Sequence, residues 1–90
     1  MTILTVTNKR DSFRGLVIGR VTEAETIYTV VAAKYGGIWY KGDWQNDKWQ
    51  FLREKAFSQR FPKLASETLD DPQKLAEIRR ELDQEGLLAL

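Results

Sequence analysis

The chain has 90 residues, of which 42% are hydrophobic and 30% charged, with a formal net charge of +1 and neither cysteine nor histidine. A chain of this length forms one domain with a modest core. The missing cysteines exclude a disulfide scaffold, and the absence of both residue types excludes a zinc finger and a Ser-His-Asp site. We therefore expect a protein without enzymatic activity, and no cofactor or metal is indicated.

Charge divides this single domain, residues 1–90, into two parts. Residues 1–63 hold 11 Lys or Arg and 6 Asp or Glu, whereas residues 64–90 hold 3 and 7 and are rich in leucine. Such asymmetry indicates an anion-binding face or two oppositely charged surfaces that meet. The N-terminal residues do not resemble a signal peptide, and no apolar run is long enough to span a membrane. We expect a cytoplasmic protein without membrane contacts.

Two strands are predicted at the start of the chain. Residues 2–7 alternate between the two faces of a strand, and residues 13–21 are rich in strand-forming side chains. In the second strand, a period of two places Phe13, Gly15 and Gly19 on the same face. The missing glycine side chains leave room there for a tryptophan or a helix to cross.

Residues 22–35 admit two interpretations. The β-branched composition of residues 26–31 favours a strand, but the apolar residues of the segment recur at helical spacing. Thr22 and Glu25 also match a capping box. We predict a helix over residues 22–35. The alternative is a strand joined by a Gly-Gly hairpin turn to the strand that follows it.

The remaining residues predict one strand and two helices. The strand covers residues 38–42, and the first helix covers residues 48–61, because Pro62 disfavours helical geometry in the residue before it. The second helix begins at the N-cap Asp71, has a proline at its first position, and ends at Gly86. Together these elements predict a small α+β domain with an antiparallel sheet of about three strands and two to three helices, in the order β-β-α-β-α-α. The alternative is a β-meander followed by two helices.

An aromatic run at residues 35–51 holds all three tryptophans and six of the ten aromatic residues. Such rings form either a small core or a surface that holds a partner, and surplus leucines at the C-terminal end are a second candidate surface. We therefore predict a non-enzymatic protein-interaction module, such as an adaptor, inhibitor or regulatory subunit, whose partner is another protein or a second copy of itself. The candidate interaction residues are Trp39, Tyr40, Trp44, Leu87, Leu88 and Leu90.

The alternative function is nucleic-acid binding by the basic, aromatic-rich residues 9–63. Bases would stack on Trp39 or Trp44, and cations would meet the phosphates. The candidate cations are Arg14, Arg20, Lys41, Lys48, Arg53 and Arg60. Arg53 and Arg60 fall within the apolar half of the predicted helix, where packing of the side-chain stems is the favoured role. Because the net charge is near zero and the C-terminal part is acidic, nucleic acid is the less expected partner.

Overall fold

A computed structural model describes residues 2–8, 11–33, 37–42 and 48–87. These residues form β1 (Ile3–Asn8), β2 (Asp11–Glu23), β3 (Thr26–Ala33), β4 (Ile38–Gly42), β5 (Gln50–Leu52), α1 (Glu54–Arg60), α2 (Pro62–Glu67) and α3 (Pro72–Gln84). The strands make one antiparallel sheet in the order β1-β2-β3-β4-β5. The α+β class is thus confirmed, with five strands instead of about three. No helix in the described ranges is long and apolar enough to cross a bilayer.

The predicted helix over residues 22–35 is wrong, and β3 occupies most of that segment. Ala24 and Glu25 have φ angles of 46° and 70° and form the two-residue turn of a hairpin closed by the paired residues Glu23 and Thr26. β3 lies inside the sheet, and residues 29–33 are buried on both faces, so this part of its sequence lacks the alternation that marks a half-exposed strand. The structure instead follows the alternative order, a β-meander followed by helices, but with three helices where the alternative had two. Part of the expected Gly-Gly turn lies outside the described residues.

A β-bulge in β2 changes which residues share a face. Val17 pairs with Val31 and Gly19 pairs with Val30, so Ile18 is an extra residue on β2. The side-chain alternation therefore shifts by one residue after Val17, and Gly19 does not share the face of Phe13 as a strict period of two predicts.

Gly19 allows a helix to cross the sheet, as its missing side chain indicated. A β-carbon placed there would lie 2.4 Å from Cδ1 of Leu64, which belongs to α2. The sheet and α2 can approach this closely because residue 19 has no side chain.

The predicted helix over residues 48–61 is also wrong at its start. Residues 50–52 pair with β4 as β5, and α1 begins only at Glu54. Helix α1 ends at the predicted boundary before Pro62, but Pro62 then begins the unpredicted helix α2. The last helix is confirmed, because the Asp71 carboxylate accepts hydrogen bonds from the backbone N–H groups of the second and third helical residues and Gly86 follows the helix with a φ of 68°.

The three helices cover one face of the sheet and enclose the larger core. We call this the helix-side core, and its buried residues are Leu16, Ile18, Val30, Ala32, Ile38, Tyr40, Phe57, Phe61, Leu64, Ala65, Ile78, Leu82 and Leu87. The α3 residues Ile78 and Leu82 belong to it, so the acidic helix packs against this face. The opposite face, with a separate small cluster, carries the candidate site.

Candidate nucleic-acid interface

The second face of the sheet, which we call the helix-free face, has its own cluster of buried side chains. Val6, Val17, Val31 and Trp49 form this cluster, and it contains no residue of α1, α2 or α3. Paired residues in an antiparallel sheet point to the same side, so the strand register assigns further residues to this face. The helix-free face comprises Leu4, Val6, Phe13, Val17, Arg20, Ile27, Thr29, Val31, Trp39, Lys41, Trp49 and Phe51.

Three aromatic rings lie in contact across the helix-free face. The Trp39 ring centroid is 5.1 Å from that of Phe13 and 5.1 Å from that of Phe51, with interplanar angles of 57° and 55°. Phe51 is 46% exposed, whereas Trp39 and Phe13 are partly buried. We call these three rings the aromatic row. Its outer end therefore presents a ring to solvent.

Gly37 lies beneath two rings of the aromatic row. A β-carbon at this position would lie 2.5 Å from Cε2 of Phe51 and 2.8 Å from Nε1 of Trp39. The Trp39 indole Nε1 is itself buried, and it has no hydrogen-bond partner among the described residues. The local backbone thus holds both rings close to the sheet, and the indole ring contributes contact area without a satisfied polar group.

A row of cations runs beside the aromatic row on the same face. Arg20 pairs with Thr29, and Thr29 pairs with Lys41, so the three residues form one line across β2, β3 and β4. Lys41 lies two residues along β4 from Trp39, a separation of about 7 Å in a strand. Its Nζ is 5.6 Å from the centroid of the Trp49 ring. We call Arg20 and Lys41 the cation row.

Two of the other predicted cations belong to the helix side of the sheet. The Arg14 guanidinium donates to Glu85 at 2.9 Å, beyond the end of α3. Arg60 donates to both carboxylate oxygens of Glu23, at 2.8 and 3.0 Å. These hydrogen bonds to Glu23 raise the pKa of Arg60 above its ordinary value. Both guanidinium groups already have carboxylate partners.

Arg60 also packs against aromatic rings, as the favoured interpretation of its position predicted. Its guanidinium carbon lies 4.3 Å from the ring centroid of Phe61, 5.0 Å from that of Tyr28 and 5.7 Å from that of Tyr40. The acid that pairs with it belongs to β2. Arg60 therefore fastens α1 to the sheet through cation–π contacts and an ion pair.

The other candidate residues are divided between the core and the surface. Tyr40 and Leu87 are buried in the helix-side core, and the Tyr40 hydroxyl donates to Oε1 of Gln50 at 2.8 Å. Lys48, which precedes β5 in the sequence, and Arg53, which follows it, are both exposed. Trp44, Leu88 and Leu90 lie outside the described residues. Of the candidates, the structure brings together Trp39, Arg20 and Lys41.

Sequence reasoning did not propose Phe13, Ile27 or Phe51 as site residues. Phe51 and Ile27, 46% and 42% exposed, both lie on the helix-free face. The available signal was the spacing of two between Trp49 and Phe51, which is typical of a strand. The prediction of a helix in that segment concealed it.

Comparisons of the chain with protein-family models, with curated proteins and with solved structures found no match.

Proposed function

We propose that this protein binds single-stranded nucleic acid on the helix-free face. The observation that carries the proposal is the position of the cation row, Arg20 and Lys41, beside the aromatic row on one side of the sheet. Single strands bind to surfaces that combine aromatic rings, on which bases stack, with cations that meet the phosphates. Both groups are present here, and Lys41 lies two residues from Trp39 along β4, about 7 Å of strand.

The exposed end of the aromatic row determines where a base would stack. Phe51 is 46% exposed and contacts Trp39, so a base placed on Phe51 would extend the existing line of rings. Stacking of a base on an aromatic side chain contributes about 1–3 kcal/mol. A duplex keeps its bases stacked on one another, so this surface favours a single strand over a duplex.

The fold also separates the acidic part of the chain from the proposed interface. Helix α3 packs on the helix-side core through Ile78 and Leu82, on the opposite side of the sheet from Arg20 and Lys41. Glu85 is paired with Arg14 on that side as well. The acidic segment that counted against nucleic-acid binding therefore faces away from the cations.

Fluorescence anisotropy with labelled oligonucleotides tests this proposal. Oligo-dT and oligo-U of about twelve nucleotides would be titrated between roughly 50 and 200 mM salt, because phosphate contacts make affinity depend on salt. Loss of Lys41 in Lys41→Ala reduces the slope of log affinity against log salt by about 0.7. The Phe51→Ala variant weakens binding by about 5- to 150-fold, the equivalent of about 1–3 kcal/mol.

Arg79→Ala is the matched control, because Arg79 is an exposed cation of α3, the helix that packs on the helix side of the sheet. It should leave affinity and salt slope close to those of the unmodified protein. The proposal fails if neither oligonucleotide binds at the lowest salt, or if Arg79→Ala weakens binding as much as Lys41→Ala does. Binding of a duplex with equal affinity would contradict the preference for single strands.

A protein-interaction function stays a second proposal. The burial of Tyr40 and Leu87 leaves fewer of its candidate residues on the described surface. A different feature is the specific observation in its favour: among the described residues, the outer edge of β2 has no strand partner over residues 19–23.

A further inference from the structure

Strand β2 extends well beyond the strand that pairs with its outer edge. β1 pairs with β2 between Asp11 and Leu16. Among the described residues, the last backbone hydrogen bond on this side joins the Val17 N–H to the Thr2 carbonyl at 2.8 Å. On its other side, β2 pairs with β3 as far as Glu23. Within the described ranges, residues 19–23 therefore have a strand partner on one side only. We call these five residues, about 17 Å of strand, the β2 overhang.

A cleft lies between the β2 overhang and helix α2. Its volume is about 430 Å³, and it is lined by Arg20, Val21, Thr22, Glu23, Phe61, Pro62, Lys63, Leu64 and Glu67. Val21, Phe61 and Leu64 belong to or pack against the helix-side core, so they supply apolar walls. Lys63 and Glu67 are exposed on α2 at the border of the cleft.

The charges of the cleft favour an acidic occupant. Glu23 is already bound by Arg60 at 2.8 Å. Arg20 and Lys63 have no ion pair in the described part of the chain, and Glu67 is the remaining acid. By register, Arg20 lies on the helix-free side of the overhang, whereas Lys63 lies on the helix side. A strand added to the overhang would thus meet a cation on each of its faces.

We propose that the β2 overhang binds an extended, acidic segment of a partner protein as an additional strand of the sheet. Unpaired N–H and C=O groups of a sheet edge hydrogen-bond to an extended backbone, and neighbouring pockets select alternate side chains. Aliphatic side chains of the added strand enter the cleft between Val21 and Leu64, and carboxylates lie beside Arg20 and Lys63. This surface differs from the proposed nucleic-acid interface, because it uses the edge of the sheet and α2, and the two surfaces share only Arg20.

Selection from a library of random decapeptides displayed on phage tests the proposal with the full chain as bait. The expected winners carry aliphatic residues and one Asp or Glu at alternate positions, which face the cleft and Lys63, and a further Asp or Glu at an intervening position, which faces Arg20. These winners should also bind as synthetic peptides. The Lys63→Glu variant should bind the winning peptide with an affinity lower by about fivefold or more, because the exposed charge beside the peptide is reversed. The matched control Lys55→Glu reverses an exposed charge of α1 that does not line the cleft, and it leaves affinity unchanged.

N-methylation of the winning peptide identifies strand addition directly. Only alternate N–H groups of an added strand face the overhang. Peptides methylated at odd or at even positions should therefore differ in affinity by about tenfold or more.

Equal affinities of the two methylated peptides overturn the proposal. A selection that enriches no peptide also overturns it, as does a selected peptide that the Lys63→Glu protein binds with the affinity of the unmodified protein. A dimer in sedimentation experiments that Lys63→Glu dissociates also overturns it, because a second copy of the chain would then occupy the overhang.

Discussion

Replacing Glu25 by glycine should stabilise the protein. Ala24 and Glu25 are the two residues of the β2–β3 turn, and both have positive φ angles, of 46° and 70°. A residue with a β-carbon in this region costs about 1–2 kcal/mol relative to the right-handed region. Glycine removes that cost, although its greater freedom in the unfolded chain opposes the gain by about 0.5–1 kcal/mol. Glu25→Gly should thus raise the free energy of unfolding by about 0.5–1 kcal/mol.

Urea unfolding and thermal melts monitored by circular dichroism measure this effect. For a domain of this size, the gain corresponds to a rise in Tm of about 2–8 °C. Glu25→Ala is the control, because it removes the same charge and carboxylate but keeps the β-carbon, and it should not stabilise. If Glu25→Gly lowers stability, or if Glu25→Ala stabilises as much, the hairpin turn does not hold Glu25 in the left-handed region and the assignment of β3 fails with it.

Three further substitutions test the packing of the fold by urea unfolding. Gly19→Ala should lower the free energy of unfolding by about 1–3 kcal/mol, because the new β-carbon would lie 2.4 Å from Leu64. The double variant with Leu64→Ala should lose at least about 1 kcal/mol less than the sum of the two single losses. Additive losses would refute the crossing of α2 over Gly19. Asp71→Ala should lower the free energy of unfolding by about 1 kcal/mol, because it removes the N-cap side chain of α3. An unchanged stability would contradict the observed capping hydrogen bonds. Trp39→Phe should change the free energy of unfolding by less than about 1 kcal/mol, because the lost ring area is offset by removal of a buried indole N–H that has no partner among the described residues. A loss above about 3 kcal/mol would contradict this offset.

Local signals predicted the elements whose ends have strong chemical markers. The last helix has an N-cap aspartate, a proline at its first position and a glycine after its end, and each marker acts within a few residues. The predictions of strands β1, β2 and β4 are also confirmed. These strands were predictable because β-branched residues and turn residues define them locally.

The error over β3 has a local cause. Its hairpin turn uses Ala24 and Glu25, which are good helix formers, in place of the Asn-Gly or Asp-Gly that marks a type I′ turn. Thr22 and Glu25 then match a capping box by spacing alone, although they lie in a strand and its turn. Residues 29–33 are buried on both faces, which removed the alternation of apolar and polar residues from that part of β3, and this burial depends on neighbours distant in the sequence.

The candidate site was predictable in its residue types but not in its arrangement. The sequence indicated that Trp39, Arg20 and Lys41 belonged to an aromatic, basic region. Their presence on one face depends on the bulge at Ile18, which moves Arg20 to the helix-free face. A single extra residue in a strand reverses the side of every later residue. Gly19 beside Ile18 is compatible with a bulge, but a glycine in a strand also marks close approach of another element, so it did not fix the register.

Chemical-shift mapping of the isotopically labelled protein with oligo-dT tests the nucleic-acid proposal most directly. The proposal predicts that the largest shifts on binding occur at Arg20, Lys41 and Phe51 and at the Trp39 indole N–H, while signals of Ile78 and Leu82 on α3 remain unchanged. Shifts concentrated on α3, or none at saturating oligonucleotide and low salt, would contradict binding on the helix-free face.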